Sequence, residues 1–373
     1  YWTVDDTLEA FQKLTLLKRK KLNIPLVAIT GSVGKTTTKE MVGEVLKKLG
    51  KIKLSHANFN NEIGVGLTIL ATGKEDKVLV LEMGMRGLGQ IENLSKYSEP
   101  DIAVITNIGT AHIGLLGSKK NITHAKCEIG KFLNPKGVVI IPANDQLLEE
   151  ILKEYWKGRV IKVELLNIEN QKENFNRDDN LRGFYNPSNK TILIEENTFE
   201  ISLEGFHNAS NFLFAYTVAK ELGIDFASFN KFNFVSLGGR NKIIKSVKTT
   251  IYDESYNASP ESVKACIKNL LEKQRNKFFI FGSMQELGKE SEKYHKEIFN
   301  FINNSDIEKC FFICDKKNEK MYTNYLKDKN KFLVLNNIKD VPKEINKSTN
   351  KGDSILVKGS RYWQLEKIIG LIN

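Results

Sequence analysis

The sequence has few cysteines, and their arrangement excludes two classes of protein. Only four are present among 373 residues, at positions 127, 266, 310 and 314. They form no CxxC pair of the zinc-binding kind, and they are too sparse for a disulfide-stabilised scaffold. Cys310 and Cys314 end the apolar run CFFIC at even spacing, which is typical of a strand packed in a core. We therefore expect a cytoplasmic protein without a zinc site.

Long apolar runs and export signals are also missing. No apolar stretch is long enough to cross a membrane as a helix. The chain begins at Tyr1 rather than methionine and shows no charged-then-apolar leader, so we expect no export signal and interpret the chain as a piece of a longer protein. Its length is too great for one compact core and suggests two domains.

No clustered basic stripe or recognition motif accompanies the positive charge. The formal net charge is +11, but the lysines are spread along the whole chain. A solvated basic surface explains this pattern, so we expect neither a nucleic acid nor a membrane as partner. A small polyanionic substrate is compatible with it.

Short apolar runs alternate with helical patterns along much of the chain. After a helix predicted over residues 3–21 come PLVAIT (25–30), KVLVLE (77–82), DIAVIT (101–106) and GVVII (137–141). Continuous Val, Ile and Leu runs separated by helices indicate a parallel sheet covered on both faces. We therefore predict an α/β central domain with a P-loop-type parallel sheet.

The pattern changes after about residue 160. A stretch rich in Asn, Lys and Asp (167–189) leads to TILIE (191–195) and FEISLE (199–204), which indicate a small antiparallel excursion before a helix at about 209–222. After LGGR (237–240) a second alternating series begins, with apolar runs starting at 250, 277, 310, 331 and 354. We predict a central domain over 1–240, of which 1–22 is a lead-in helix, and a Rossmann-like α/β domain over 241–373, with a hinge near Gly238-Gly239.

The stretch VAITGSVGKTTT (27–38) lacks the first glycine of the usual G-x-x-x-x-G-K-[ST] loop, because Ile29 stands in its place. It still combines a strand, a glycine turn and Lys35-Thr36 at the start of a helix. Such a turn directs backbone N–H groups at phosphate oxygens, the lysine adds a charge, and the threonine hydroxyl can bind Mg²⁺. An ordinary strand–turn–helix corner would have no use for Lys-Thr directly after Gly. We predict a nucleotide-binding loop formed by Thr30, Gly31, Ser32, Val33, Gly34, Lys35, Thr36 and Thr37.

Further candidate site residues lie at the ends of predicted strands or in predicted helices. The residues alone do not decide whether each has a functional or a structural role. Glu82 ends the second strand and could hold Mg²⁺ beside Thr36, or it could be a surface acid. His112, in TNIGTAH (106–112), lies at the same sheet edge, but a single histidine is usually structural. Lys126 is typical of a solvated helix face, and GFHNASN (205–211) could simply cap its helix.

The shortened loop TGSVGKT (30–36) resembles the ATP loop of the Mur ligases, the amide-forming enzymes of peptidoglycan precursor synthesis, and of their folylpolyglutamate synthase relatives. An ordered set of motifs is similar to the branch that joins D-alanyl-D-alanine to UDP-N-acetylmuramoyl-tripeptide. These motifs are VDDTL (4–8), HANFNNEIG (56–64), EMGM (82–85), NIGTAH (107–112), Ala125-Lys126, DESYNASP (253–260), MQELG (284–288) and VKGSR (357–361). The sequence departs from the family pattern at Asn241-Lys242, Glu254, Ser259 and Ser283.

The resemblance implies an ATP-dependent ligase. ATP would activate the peptide carboxylate as an acyl phosphate, which the amine of D-alanyl-D-alanine attacks, and the enzyme would act as a monomer. Folylpolyglutamate synthase, another Mur step and a non-catalytic ATP-binding relative remain alternatives. Nothing in this sequence corresponds to the family's N-terminal domain, which binds the UDP end of the substrate.

The resemblance also implies roles for individual residues. Lys35, Glu82, His112 and Lys126 would be catalytic. Two Mg²⁺ ions would be held, the first by Thr36 and Glu82 and the second by His112 and a carbamylated Lys126. The nucleotide would also contact Asn208, Asn211, Arg240 and Asp253, the last two after the second domain closes. The substrates would contact Asn60, Asn61, Tyr256, Asn257, Lys358, Ser360 and Arg361.

Overall fold

The structure is a computed structural model that describes residues 3–170, 180–235, 238–326, 328 and 330–372. The chain forms two compact units. The first comprises Tyr1–Gly109 and Leu116–Phe234, and the second comprises Val235–Asn373 together with the short segment Thr110–Leu115. Leu237 of LGGR and residues 171–179 of the predicted polar stretch lie outside the described residues.

Up to Phe234 the described chain alternates strands and helices. In chain order they are α1 (Thr7–Lys21), β1 (Leu26–Thr30), α2 (Lys35–Val45), β2 (Lys51–Leu54), α3 (Glu62–Leu70), β3 (Asp76–Glu82), α4 (Gln90–Ser98), β4 (Ile102–Ile105), α5 (Ile113–Leu116), α6 (Lys119–Cys127), β5 (Val138–Pro142), α7 (Gln146–Tyr155), β6 (Arg159–Asn167), β7 (Asn180–Asn186), β8 (Thr191–Ile194), β9 (Asn197–Ile201), α8 (Phe206–Glu221) and β10 (Lys231–Phe232).

The strands of the first unit form one sheet in the order β10-β9-β8-β7-β6-β5-β4-β1-β3-β2. From β2 to β7 every neighbouring pair is parallel, and β1 lies between β3 and β4 with all five residues buried. Only the pairs β7–β8 and β8–β9 are antiparallel, so the predicted excursion is a continuation of the main sheet. The predicted α/β fold with a mostly parallel sheet is confirmed.

Element boundaries differ from the prediction where side chains cap helices or where strands are polar. Helix α1 begins at Thr7 rather than at residue 3, because the Asp6 carboxylate accepts a hydrogen bond from Glu9 N–H and ends the extended segment. Strands β2, β6 and β7 were not predicted, because charged residues and asparagine interrupt their apolar pattern. Helix α8 is buried along most of its length and packs against α2, which brings its first turns to the phosphate loop.

The second unit contains its own sheet. Its elements are β11 (Lys242–Lys245), β12 (Thr249–Asp253), α9 (Pro260–Leu271), β13 (Lys277–Gly282), α10 (Ser291–Asn303), β14 (Lys309–Ile313), α11 (Lys316–Thr323), β15 (Phe332–Leu335), α12 (Val341–Ser348), β16 (Asp353–Lys358) and α13 (Glu366–Ile369). The sheet order is β11-β12-β16-β13-β14-β15, and all pairs are parallel except β11–β12.

The four cysteines are free thiols, and all of them are buried. Burial raises the pKa of each thiol above its usual range, to about 12 for Cys266 and Cys314. They are therefore packing residues. Within the described residues, no helix combines the length and the apolar character needed to span a membrane.

A buried histidine holds the MQELG turn of the second unit. His295, on α10, is 0% exposed, and its Nε2 accepts a hydrogen bond from the Met284 N–H at 2.9 Å. Its Nδ1 lies 2.7 Å from the Ser291 carbonyl oxygen, to which it donates in this arrangement. The imidazole is therefore neutral, and burial lowers its pKa to about 4.

Acidification is expected to destabilise the folded protein through His295. Below about pH 6.5 the unfolded chain binds a proton that the folded imidazole excludes down to about pH 4, so the free energy of unfolding falls across this window by up to about 3 kcal/mol. Urea unfolding at a series of pH values from 7 to 4.5 measures this loss. His295→Gln is the control and should show a weaker dependence on pH in the same window. Equal slopes for the two proteins would contradict the prediction.

Candidate functional site

The predicted phosphate loop follows β1 at the carboxyl edge of the first sheet, between the ends of β3 and β4. Two of its positions require glycine. A Cβ on Gly31 would come within 1.9 Å of Thr106 Oγ1. Gly34 has φ +82° and begins α2 as its N-cap, and a Cβ there would meet Asn211 Oδ1 at 2.6 Å. The loop backbone therefore lies close to Thr106 and Asn211, and side chains at these two positions would not fit.

The segment that follows β4 holds this loop in place. Asn107 Nδ2 donates to the Val33 carbonyl oxygen at 2.9 Å, and Asn107 Oδ1 accepts from Val33 N–H at 3.0 Å. Thr106 Oγ1 donates to the same carbonyl at 2.6 Å. Ser32 completes the contact, since its N–H donates to Asn107 O and its hydroxyl accepts from Gly109 N–H. Sequence analysis missed Thr106 and Asn107 as loop supports, although their place at the end of an adjacent strand was a usable signal.

Lys35 begins α2 and directs its ammonium group back over the loop. Its Nζ donates to the Gly31 carbonyl oxygen at 2.8 Å and lies 3.4 Å from that of Ser32. Thr30 ends β1 and is fully buried, and its hydroxyl has no hydrogen-bond partner among the described residues. Thr37 is partly buried on the first turn of α2. A positive charge and a helix N-terminus therefore come together here, and this is a combination that binds anions.

Glu82, at the end of β3, makes two hydrogen bonds with its carboxylate. Thr36 Oγ1 donates to Oε2 at 2.6 Å, and Asn60 Nδ2 donates to Oε1 at 2.8 Å. Thr36 and Glu82 are both buried, at 5% and 2% exposed. The structure thus brings together the two residues predicted for the first metal ion and adds Asn60, which was predicted to contact substrate. Asn61 caps α3, since its Oδ1 accepts from Gly64 N–H.

Lys126, on α6, is buried rather than exposed on a helix face. It is 2% exposed, and within the described residues its ammonium group has no carboxylate partner. Burial lowers the pKa of Lys126 well below its usual range, and the nearby positive charge of Lys35 lowers it further. Both lysines therefore lie in the same region of the site.

Glu128 fixes the end of the helix that carries Lys126. Its carboxylate accepts hydrogen bonds from Gly89 N–H at 2.6 Å and Glu92 N–H at 3.1 Å, at the N-terminus of α4. Gly89 is the N-cap of that helix and has no side chain to fill this role. Burial raises the pKa of Glu128. Sequence analysis missed this residue, and no local pattern points to it.

The two asparagines of GFHNASN face the interior of the first unit. Asn211 Oδ1 accepts from Thr38 Oγ1 at 3.3 Å and lies next to Gly34, so it contacts the phosphate loop from α8. Asn208 is 0% exposed and donates through Nδ2 to the Glu204 carbonyl oxygen at 2.6 Å. Asn211 therefore lies at the predicted phosphate loop, while Asn208 binds the chain just before α8 through the Glu204 carbonyl oxygen.

His112 belongs to the segment that groups with the second unit. Its backbone is left-handed, with φ +66°, and its Nδ1 lies 2.6 Å from Glu286 Oε2 in the MQELG turn. Thr110 N–H and Oγ1 both donate to Glu261 Oε1 at 2.9 Å, and Gly114 N–H donates to the Glu286 carbonyl oxygen. The role of His112 as a metal ligand stays a prediction.

Three predicted substrate residues in the second unit hold its own loops. Lys358 is 4% exposed, and its Nζ donates to the Asn257 carbonyl oxygen at 3.0 Å. Ser360 Oγ accepts from Gln285 N–H at 2.8 Å. Asn257 Oδ1 accepts from Ala258 N–H and, at 3.3 Å, from Arg361 N–H.

Two guanidinium groups lie near the aromatic ring of Tyr256. That of Arg240 is 3.8 Å from the ring centroid and that of Arg361 is 5.8 Å from it. Asp253 is buried, and its Oδ1 accepts from the Ser255 hydroxyl at 2.6 Å. The two family departures Asn241 and Glu254 contact each other, since Asn241 N–H donates to Glu254 Oε1 at 3.0 Å. The arginine pair is a cationic aromatic surface suited to an anion.

The donor set at Glu82 fits a hard cation. A hydroxyl and a carboxylate are the ligands that Mg²⁺ prefers, and Mg²⁺ keeps several water molecules and needs few protein ligands. In the part of the chain that the structure describes, no group of three or more His, Cys, Asp or Glu side chains is arranged to hold a metal ion. A closed structural metal site of that kind is therefore not present among these residues.

Comparison with known proteins matches both parts of the chain to Mur ligase domains. The Mur ligase middle domain profile matches residues 29–219, and the profile of the Mur ligase glutamate ligase domain matches residues 239–361. The UDP-N-acetylmuramoyl-tripeptide–D-alanyl-D-alanine ligase of Bacillus subtilis is 35% identical over 385 residues, which cover 98% of this chain and 79% of that protein.

Solved structures of MurF enzymes are also similar to this chain along nearly its whole length. MurF from Acinetobacter baumannii superposes with a TM-score of 0.84 at 25% identity, over 99% of this chain and 81% of the other. MurF ligase from Thermotoga maritima, solved in complex with ADP, has a TM-score of 0.84 at 26% identity, over 99% of this chain and 84% of the other.

Proposed function

The chain belongs to the Mur ligase family, and we propose from this that it is the ATP-dependent ligase that adds D-alanyl-D-alanine to UDP-N-acetylmuramoyl-tripeptide. The relatives that it matches along nearly its whole length carry the name of this enzyme. The observation that supports the chemistry best is the cluster at one sheet edge, where Lys35 lies over the phosphate loop and Thr36 is hydrogen-bonded to Glu82.

The nucleotide is ATP, bound through its phosphates at Gly31–Thr37. The ADP complex of the Thermotoga maritima relative supports this assignment. Asn211 contacts the loop and is the better supported of the two predicted asparagine contacts. We assign residues 1–240 to this ATP-binding part of the protein and 241–373 to the domain that receives the dipeptide. Arg240, at the end of the first part, and Asp253, in the second, remain predicted nucleotide contacts.

The reaction brings a peptide carboxylate to the γ-phosphate, which is an encounter of like charges. Lys35 offsets this repulsion from the loop side, and the helix N-terminus of α2 adds partial positive charge. Thr36 and Glu82 would hold the first Mg²⁺, and His112 with a carbamylated Lys126 the second. When bound, the ions supply charge neutralisation for the phosphates and the acyl phosphate. The amine of D-alanyl-D-alanine then forms the amide bond and phosphate leaves.

Carbamylation gives the buried Lys126 a chemical purpose. Its neutral amine nitrogen adds to the carbon of CO₂, a C–N bond forms, one C=O bond becomes C–O⁻, and a proton leaves the nitrogen for solvent. The product is an anionic oxygen donor next to the positive charge of Lys35. A lysine with a depressed pKa is suited to this step, because a larger share of its side chain is the nucleophilic neutral amine.

Both substrates are small molecules, and we propose that the enzyme acts on them as a cytoplasmic monomer. The four free thiols agree with a reducing compartment.

Phosphate release from the full-length protein tests the proposed function. With ATP, Mg²⁺ and UDP-N-acetylmuramoyl-tripeptide present, release is expected to depend on added D-alanyl-D-alanine. Glutamate or a single amino acid as acceptor separates the folylpolyglutamate synthase and other Mur reactions from this one. Turnover with one of these acceptors but not with the dipeptide would overturn the substrate assignment. No ADP formation with any acceptor would support a non-catalytic relative.

A further inference from the structure

Lys39 is a buried charged residue to which the mechanism above assigns nothing. It lies on α2, one helical turn after Thr36, and its side chain is 0% exposed. Burying an ammonium group is costly unless hydrogen bonds and opposite charge replace the lost water. An apolar residue of similar length would fill the same space without that cost. The contacts of the ammonium group therefore indicate what it does.

The Lys39 ammonium group binds the segment between β2 and α3. Its Nζ donates to the Ser55 carbonyl oxygen at 2.6 Å and lies 3.5 Å from that of Ala57. Glu40 Oε1 completes its surroundings as an ion-pair partner at 3.0 Å. Ala57 has φ +45°, a left-handed conformation that is unfavourable for alanine. The segment is thus held in a backbone conformation that needs outside support.

The same segment supports Glu82 at two points. Glu82 N–H donates to Ser55 Oγ at 3.0 Å, and Asn60 Nδ2 donates to Glu82 Oε1 at 2.8 Å. Gly84 N–H also donates to the Asn60 carbonyl oxygen, which ties the segment to the chain just after β3. Glu82 in turn accepts from Thr36 on α2. A closed ring of contacts therefore runs from Lys39 through Ser55 and Glu82 to Thr36, and it begins and ends on one helix.

We propose that Lys39 is a positioning residue for Glu82. It acts by fixing the segment 55–60, from which Ser55 holds the backbone of Glu82 and Asn60 holds its carboxylate. The phosphate loop itself has separate supports in Thr106 and Asn107, whose side chains bind the Val33 carbonyl oxygen. Lys39 therefore controls the step that depends on the Glu82 carboxylate and leaves phosphate binding by the loop unchanged. This inference rests on the proposed function for the nucleotide and for the magnesium ion at Glu82, and it does not depend on the acceptor substrate.

The test compares ADP affinity with and without magnesium in Lys39→Met. In EDTA, ADP reports on the loop alone, and its dissociation constant is expected to stay within about twofold of the wild-type value. The gain in ADP affinity on adding Mg²⁺ depends on Glu82 and is expected to fall by about tenfold or more, as for other residues that orient a ligand of a metal ion. Hydrogen exchange of residues 55–61 is expected to speed up, while that of residues 31–38 stays the same.

Two further variants make the outcome decisive. Lys47→Met makes the same change at a side chain that is 67% exposed and should match the wild type in every measurement. Ser55→Ala removes only the hydroxyl that accepts from Glu82 N–H and should also reduce the magnesium-dependent gain, even if Lys39→Met does not fold. A wild-type gain in Ser55→Ala, or in a folded Lys39→Met, would overturn the proposal. An equal loss of ADP affinity in EDTA and in magnesium would do so as well, since it would give Lys39 a general structural role.

These measurements are independent of the acceptor substrate. If the protein proved to ligate a different acceptor, the binding and exchange results would still decide the role of Lys39. Failure of the proposed function and failure of this proposal are therefore distinguishable.

Discussion

Replacing Lys35 by alanine is expected to reduce ATP-dependent ligation by at least about 10²–10³-fold while the protein stays folded. The ammonium group lies over the phosphate loop, 2.8 Å from the Gly31 carbonyl oxygen, where the charge of a nucleotide phosphate would be. Its loss leaves the repulsion between the phosphate and the attacking carboxylate uncompensated. ADP formation with both substrates present measures the effect, and circular dichroism confirms the fold.

Lys13→Ala is a suitable control for Lys35→Ala. The Lys13 side chain is 68% exposed and pairs with Glu9 on its own helix, so its removal should leave turnover unchanged. Near-normal ADP formation by Lys35→Ala would contradict the role given to that residue.

Replacing Lys126 by alanine is expected to reduce ligation by a similar factor, about 10²–10³-fold, and small carboxylic acids should restore part of it. The reason is that the proposed carbamate is an anionic oxygen donor in a buried position, and the alanine variant leaves a space that acetate or formate can enter. A lysine needed only as a cation would not be replaced by an acid. Measuring turnover of Lys126→Ala at increasing acetate concentration tests this directly.

Two comparisons complete the Lys126 experiment. The same acids should give Lys35→Ala no recovery, because that variant lacks a cation. The wild-type enzyme should lose activity when bicarbonate and CO₂ are removed from the buffer and regain it when they return. If acetate left Lys126→Ala inactive and the wild-type rate did not respond to bicarbonate, the carbamate would have to be abandoned.

The phosphate loop and its position were predictable from the sequence because both depend on local chemistry. A strand, a glycine turn and Lys-Thr occupy consecutive residues, and strand order alone brings Glu82 to the same edge. In the structure, Thr36 Oγ1 lies 2.6 Å from Glu82 Oε2. Strands β1 and β13 could also be predicted, because both are buried along their whole length and consist mostly of consecutive apolar residues.

The supports of the site were not predictable, because they depend on contacts between distant segments. Lys39 looks like one more exposed lysine on a helix until Ser55 and Ala57, 16 and 18 residues away, are placed against it. Strand β2 was missed because lysines alternate with apolar residues in KIKL, and without it the segment that leads to Asn60 has no defined start. Asn60 was assigned to substrate from the resemblance of HANFNNEIG to the family's loop, and the motif gave no sign that its side chain is hydrogen-bonded to Glu82.

Lys358, in the second unit, also makes a contact with a distant segment that the sequence does not reveal. The VKGSR motif marked it as a substrate residue, but a motif does not reveal which way a side chain points. Its Nζ is bound to the carbonyl oxygen of Asn257, 101 residues earlier in the chain. Sequence similarity therefore marked the loop as a unit and could not separate the residues that shape it from those that are exposed on it, such as Arg361.

The burial of all four cysteines makes this protein a convenient host for a single-site fluorescent label. Their raised pKa values keep the thiols protonated and slow toward maleimides, so a new cysteine on the surface would react first. Position 59 is a natural attachment point, because Phe59 is 40% exposed and the next residue, Asn60, is hydrogen-bonded to Glu82 at the proposed site. We expect the fluorescence of a dye there to change when a ligand binds, so no coupled assay is needed.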